Sequence, residues 1–185
     1  MNRLQKFIDN SHNQYIWDII KFIKYIPKYI IKLYIKCNPN KYYELGFIYQ
    51  YYYKNYELMH ECYNKAINEG NSHAIYNLGC YYQCTEENYD LMKKYYLDAI
   101  ELGNASAMNN LSIYYHFIEK NYELMKQYYL MAIELRNIHS MNNLGYYYQF
   151  TEKNYDLMKK YYKMAIKLNV ENSVHNVIYY YKLKI

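Results

Sequence analysis

Cys80 and Cys84, four residues apart, and His60 with Cys62 further upstream are the side chains in this sequence that would most readily hold a metal ion. Two thiol or imidazole pairs could in principle complete a tetrahedral zinc centre. Neither pair has the spacing of a structural zinc site, however, and equivalent segments elsewhere in the chain keep neither pair, so no metal is expected. The cysteines read instead as buried or half-exposed thiols, and with no secretion signal they belong to a reducing compartment. His12, His60, His73, His116, His139 and His175 are scattered, and there is no phosphate-cradling glycine loop, His-Glu-x-x-His or nucleophile elbow. No catalytic residue and no cofactor is expected. Asn104-Ala105-Ser106 and Asn110-Leu111-Ser112 match the glycosylation acceptor pattern, which without a secretion signal reads as coincidence.

The informative spacing is longer. "ENYDLMKKYYLDAI" at Glu87 returns as "KNYELMKQYYLMAI" at Lys120 and "KNYDLMKKYYKMAI" at Lys153, with a divergent copy, "KNYELMHECYNKAI", at Lys54. Asn55, Asn88, Asn121 and Asn154 are 33 residues apart, as are Leu58, Leu91, Leu124 and Leu157, and Ala66, Ala99, Ala132 and Ala165. A fixed period in this range is the signature of a stacked-repeat architecture, in which one unit cannot bury its apolar face alone. The period gives units 38–70, 71–103, 104–136 and 137–169, followed by a terminal segment 170–185.

Each unit must supply two helices. Ala74, Leu78, Tyr81, Tyr82 and Thr85 recur at three- and four-residue steps and line one face of a first helix, A. Met92, Tyr95, Tyr96, Ala99 and Leu102 do the same for a second helix, B. Asn88 is placed to N-cap helix B, and Asp90 sits in its first turn, where the helix dipole favours negative charge. Helix B should stop at Gly70, Gly103, Arg136 or Asn169, Arg136 being the poorer stop. Gly46, Gly79, Ser112 and Gly145 share one column in the middle of helix A, where glycine costs about 1 kcal/mol relative to alanine, so a partner helix is expected to cross there. The fifth member of the column is Ile178, in a terminal helix A that has no B to admit.

Ala74, Leu78-Gly79, Tyr82, Tyr96, Ala99 and Gly103, followed by Ala107 and Leu111, resemble the Sel1-like repeat, a relative of the tetratricopeptide repeat. The most specific stretch is "AIELGNASAMNNL" at Ala99, and the resemblance runs from about Asn38 to Ile185. The units are shorter than is usual for that family, lack its Gly-rich inter-helix turn, and place Ile100 where it has a second alanine. The resemblance implies an all-α solenoid of antiparallel helix hairpins that works as an adaptor or scaffold without catalysis. Tyr-, Asn-, Lys- and Ile-heavy usage also resembles that of Sel1-like proteins predicted from AT-rich giant DNA viruses. The 32 tyrosines read as core, one of each pair such as Tyr95-Tyr96 packing its ring inside while the hydroxyl finds an edge; an aromatic binding ladder is the alternative.

Charge divides unevenly. Residues 1–41 hold eight Lys or Arg against Asp9 and Asp18, whereas the remainder carries 14 basic and 15 acidic residues. A near-neutral repeat array lacks the positive charge that a nucleic-acid groove requires. In residues 1–37, Lys21, Lys24, Lys28, Lys32 and Lys36 form one stripe beside Ile, Phe, Tyr and Trp17, with Pro27 splitting the helix. That segment reads as a degenerate hairpin capping the solenoid; the alternative is peripheral attachment to a membrane surface or nucleic acid through residues 15–37. No uncharged run is long enough to span a bilayer, and the expected location is intracellular, in the cytoplasm.

A protein or peptide partner would meet the side of helix A opposite Leu78. One column there, Phe47, Cys80, Ile113, Tyr146 and Tyr179, is apolar throughout. It is rimmed by Tyr43, Tyr76, Asn109 and Asn142 and by Gln50, Gln83, His116 and Gln149. An apolar stripe with flanking amides suits an extended or helical peptide whose backbone the amides could meet. Packing between adjacent A helices could bury part of it, and the Asn77, Asn110, Asn143, Asn176 ladder is read either as part of this surface or as a tie between neighbouring units.

Overall fold

The computed structural model describes residues 41–168, which fall into two compact units, 41–102 and 103–168. The basic segment, the boundary at Asn38 and the terminal segment with Ile178 lie outside the described residues. Within those, every regular element is helical. The first unit contains α1 (Tyr42–Ile48), which runs on as a π-helical turn (Tyr49–Tyr53), α2 (Tyr56–Asn68), α3 (Ser72–Cys84) and α4 (Tyr89–Glu101). The second contains α5 (Ala105–Tyr114), its π-helical continuation (Tyr115–Glu119), α6 (Tyr122–Glu134), α7 (Ile138–Phe150) and α8 (Tyr155–Lys167). The odd-numbered helices are the expected A helices and the even-numbered ones the B helices.

Asparagine starts these helices. Asn55, Asn88, Asn121 and Asn154 each accept a hydrogen bond from the backbone N–H three residues on, at 3.1 Å, which satisfies one of the donors a helix leaves open at its N-terminus. Asn71, Asn104 and Asn137 cap α3, α5 and α7 in the same way, a role that the sequence reading did not give them. At the other end of the B helices Gly70 and Gly103 take φ of +82° and +74°. Arg136 adopts the same left-handed backbone, at φ +59°, without glycine's freedom.

The hairpins close on one side chain. Tyr63, Tyr96, Tyr129 and Tyr162, one per B helix, are almost wholly shielded from solvent. Each is flanked by a buried methionine and alanine one helical turn away, such as Met92 and Ala99 around Tyr96. A methyl group added to Gly46, Gly79 or Gly145 would lie 2.4, 2.5 or 2.6 Å from the ring of Tyr63, Tyr96 or Tyr162. The helix expected to cross at the glycine column is therefore B of the same hairpin, and the group that fills the gap is an aromatic ring. Beside it the other tyrosine of each pair lies flat on a tyrosine of helix A: Tyr82 on Tyr95, Tyr115 on Tyr128 and Tyr148 on Tyr161, with ring centroids 5.3–5.7 Å apart and planes within 6°. Leu102 departs from expectation, being 54% exposed, because α4 ends at Glu101 and the cap residue leaves the helical phase that would turn it inward.

The ring contact reverses the usual glycine rule. Gly79→Ala should lose about 2–3 kcal/mol of stability to overpacking, although alanine is the better helix former by about 1 kcal/mol. Gly70→Ala, with nothing within 4 Å of the added methyl, should lose only about 1 kcal/mol to backbone strain. Urea denaturation of the full chain compares the two, and a stabilised Gly79→Ala would contradict this packing.

Candidate functional site

The amides of the predicted rim serve the buried tyrosines first. Tyr63 donates its hydroxyl proton to Gln50 Oε1 at 2.7 Å, Tyr96 to Gln83 at 2.6 Å, and Tyr162 to Gln149 at 2.9 Å. A phenol removed from water needs such a partner, and a glutamine one turn beyond the glycine on the facing helix supplies it without a charge. The Asn ladder completes the arrangement: Asn77 Nδ2 donates to the Tyr63 hydroxyl at 3.1 Å from the following hairpin. Asn143 hydrogen-bonds Tyr129 in the same sense, while burial drives that phenol far above its ordinary pKa. At Asn77 and Asn143 the ladder thus ties a repeat to the one before it within the same unit.

Other rim residues join adjacent A helices. Asn109, buried on α5, accepts from Ser140 Oγ and from Asn143 Nδ2 on α7, both at 3.1 Å, and donates to Asn110 at 3.2 Å. Phe47 and Cys80 are buried in the apolar column, and Tyr76 stacks on Tyr96 with centroids 5.9 Å apart. Ile113, His116 and Asn142 are half-buried, and Tyr146 is 48% exposed. The predicted residues therefore fall into a bonded inner group, chiefly Gln50, Gln83, Asn109 and Gln149, and an outer group that solvent reaches.

The outer group extends one column further than the sequence reading took it. Tyr51, Cys84, Phe117 and Phe150 stand four residues beyond Phe47, Cys80, Ile113 and Tyr146 and share their face. Phe47 meets Tyr51, and Tyr146 meets Phe150, each with ring centroids 4.5 Å apart. In the second unit Phe117, Ile118 and Phe150 are 58%, 54% and 47% exposed. In the first, these columns border an open cleft of about 370 Å³ lined by Gln50, Tyr51, Lys54, Tyr56, Cys80, Cys84 and Thr85. The four-residue step from the apolar column was the signal that would have found them.

Repeat three is the exception in the tyrosine arrangement. Ser112 replaces glycine and turns its hydroxyl back to Met108 O at 2.8 Å, and His116 replaces glutamine. The imidazole lies among Phe117, Tyr122 and Tyr147, at centroid distances of 4.2, 5.9 and 5.4 Å, and burial lowers its pKa. Close by, Glu152 accepts from the Tyr147 hydroxyl and pairs with Lys126, which holds its carboxyl below the usual range. Burial, reinforced by Glu152, pushes Tyr147 up to about 12. Among the described residues no group of three or more His, Cys, Asp or Glu could hold a metal ion, and no helix is long and apolar enough to cross a membrane. His60 stands edge-on to Tyr81, 5.2 Å between centroids, while Cys62 and Cys80 are buried.

No family model matches the sequence, and no curated protein matches it. The fold does have solved counterparts. A protective antigen of uropathogenic Escherichia coli displaying an SLR fold is 21% identical with a TM-score of 0.63, the match covering 83% of this chain and 36% of that one. A Sel1 repeat protein from Oxalobacter formigenes is 21% identical with a TM-score of 0.64, over 86% and 71% of the two chains. The chain accordingly has the all-α hairpin-repeat fold of the Sel1 class, and spans little more than a third of the length of the first of these relatives. Both counterparts are bacterial and give the viral compositional resemblance no support.

His116 makes stability pH-dependent in a defined direction. Its folded pKa lies below the ordinary value of about 6.5, so its contribution is complete above that value and is lost as pH falls through it toward the folded pKa. His116→Gln restores the acceptor that the other repeats offer their tyrosine. It should stabilise the chain by about 1 kcal/mol at pH 7, with a margin over the parent that widens toward pH 5. Urea midpoints at the two pH values test this; a constant or shrinking margin would count against it.

Proposed function

We propose that this chain is a non-catalytic protein-interaction module that docks a peptide or protein segment on the exposed side of its A helices. The observation that carries the reading is chemical segregation in residues 103–168. α5 and α7 contain no Asp, Glu, Lys or Arg, yet Tyr146, Phe150, Phe117 and Ile118 stand about half exposed on or just beyond them. Among the described residues, the charged side chains of this unit lie on α6, α8 and the connecting turns, apart from Glu119 at the end of the π-helical continuation of α5. A soluble domain gains nothing from leaving large apolar groups together in water, and patches of this kind mark contact surfaces. Taken unit by unit, the docking residues are Phe47, Gln50, Tyr76, Cys80 and Gln83 in the first, and Asn109, Ile113, His116, Asn142, Tyr146 and Gln149, with Phe117 and Phe150 added, in the second. In that set the half-exposed aromatic groups act as anchors, and the bonded amides hold the helices that present them.

Ile113→Asp and Tyr146→Asp introduce carboxylates on this face and leave Tyr129 and Tyr162 themselves unchanged. Affinity purification from the native host with the parent chain and the paired variant, with helicity checked by circular dichroism, should lose the parent's partners at least about tenfold. Unchanged recovery by a folded variant would reject the docking face.

A further inference from the structure

The residue just before the Asn N-cap of each B helix has an identity the backbone does not favour. Lys54, Lys120 and Lys153 occupy it in three repeats and Glu87 in the other, with φ of +54°, +54°, +55° and +52°. A non-glycine residue in this left-handed region costs roughly 1–2 kcal/mol, and asparagine or glycine is the usual occupant. The chain does use glycine where only the turn matters, at Gly70 and Gly103. The lysines are also poorly placed for the next helix, since each stands one residue before its Asn N-cap, where the helix dipole disfavours a positive charge. They neither relieve the backbone nor help the helix, so what they contribute is the exposed ammonium.

Those ammonium groups are unspent. All three lysines are exposed, and none takes part in an ion pair among the described residues. Carboxylates do lie near Lys120 and Lys153, but they have other partners: Glu123 lies 4.0 Å from Lys126, Asp156 lies 3.9 Å from Lys159, and Glu152 is held by Lys126 and Tyr147. Glu119, beside Lys120, is likewise engaged. Each lysine follows by three residues the aromatic column of the exposed face, as Tyr51 with Lys54, Phe117 with Lys120, and Phe150 with Lys153. In the first unit Tyr51 and Lys54 line the same cleft, where Lys54 is the one charged residue. In the second repeat both change together, to Cys84 and Glu87.

From this pairing of an aromatic group with an unpaired lysine we infer that the docked partner is an acidic peptide segment with bulky apolar side chains set between its carboxylates. The apolar groups meet Ile113, Phe117, Tyr146 and Phe150, while carboxylates at the edge of the stripe meet Lys120 and Lys153. The inference rests on the docking reading and adds the sign of the partner's charge. Lysine at the strained turn is then the residue selected by the ligand, and the absence of charge from α5 and α7 keeps the centre of the contact apolar.

The test uses the full chain and three labelled peptides of equal length: one alternating Phe and Glu, its counterpart with Lys for Glu, and oligoglutamate, followed by fluorescence anisotropy. The Phe/Glu peptide should bind best, and Lys120→Glu with Lys153→Glu should weaken it about tenfold or more. Lys32→Glu with Lys36→Glu, in the basic segment, should leave it unchanged. The inference is overturned if the Phe/Lys peptide binds as well, if oligoglutamate binds as well, if the basic-segment control causes the same loss, or if the Phe/Glu peptide does not bind. A Phe/Lys peptide that binds and is lost on Ile113→Asp with Tyr146→Asp would remove the acidic partner while leaving the docking face in place.

Discussion

A tyrosine ring seated on the bare backbone of a facing helix is the contact from which the other regularities of this chain follow. Tyr63, Tyr96 and Tyr162 rest where Gly46, Gly79 and Gly145 have no side chain, which brings the two helices of a hairpin together and excludes water from the hydroxyl. Burying the ring is favourable by about 1.5–3 kcal/mol, but the hydroxyl would cancel much of that if left alone. Gln50, Gln83 and Gln149 answer it from within the hairpin, and Asn77 answers Tyr63 from the next one. The glycine, glutamine and asparagine columns are therefore consequences of a single side chain. Their repetition at one spacing reflects the invariance of that contact.

Repeat three shows what happens when the set is changed together. Ser112 satisfies its own hydroxyl on α5, His116 turns to the aromatic groups around it, and Tyr129 is left to Asn143. The hairpin survives because the ring still packs and the hydroxyl still has a partner. On the outer side Phe117 and Ile118 stand in solvent next to this irregularity, where the helix widens into a π-helical turn. Internal polarity is thus absorbed by tyrosine partners, and the outer columns of the A helices are left free to be apolar. Separation of the two roles is what would make the proposed docking face compatible with a core so rich in hydroxyl groups.

Much of this was legible in the sequence, for identifiable reasons. Period, helix pairing and the caps at Asn55, Asn88, Asn121 and Asn154 follow from spacing and residue type, since apolar phase and N-cap chemistry are local properties. The employment of Gln50 and Gln149 was not readable, because helical phase says which way a side chain points and not which group of the facing helix meets it. The same limit hid the contacts of Asn109 with Ser140 and Asn143, which depend on how two A helices approach. Asn71, Asn104 and Asn137 could have been recognised as caps from the residue type just ahead of each helix A. Phe117 and Phe150 needed only one more step along the apolar column. Leu102 misled because a cap residue no longer obeys the period of its helix.

The account stands on the claim that one tyrosine hydroxyl couples consecutive hairpins. A double-mutant cycle of Tyr63→Phe and Asn77→Ala in the full chain, read by urea denaturation, measures that coupling directly. A coupling energy of about 1 kcal/mol or more is predicted, since Tyr63→Phe takes the acceptor from the buried Asn77 amide, while Asn77→Ala leaves the Tyr63 hydroxyl with Gln50 alone. Additivity of the two changes to within about 0.3 kcal/mol would show that the hydroxyl joins nothing, and would contradict the account.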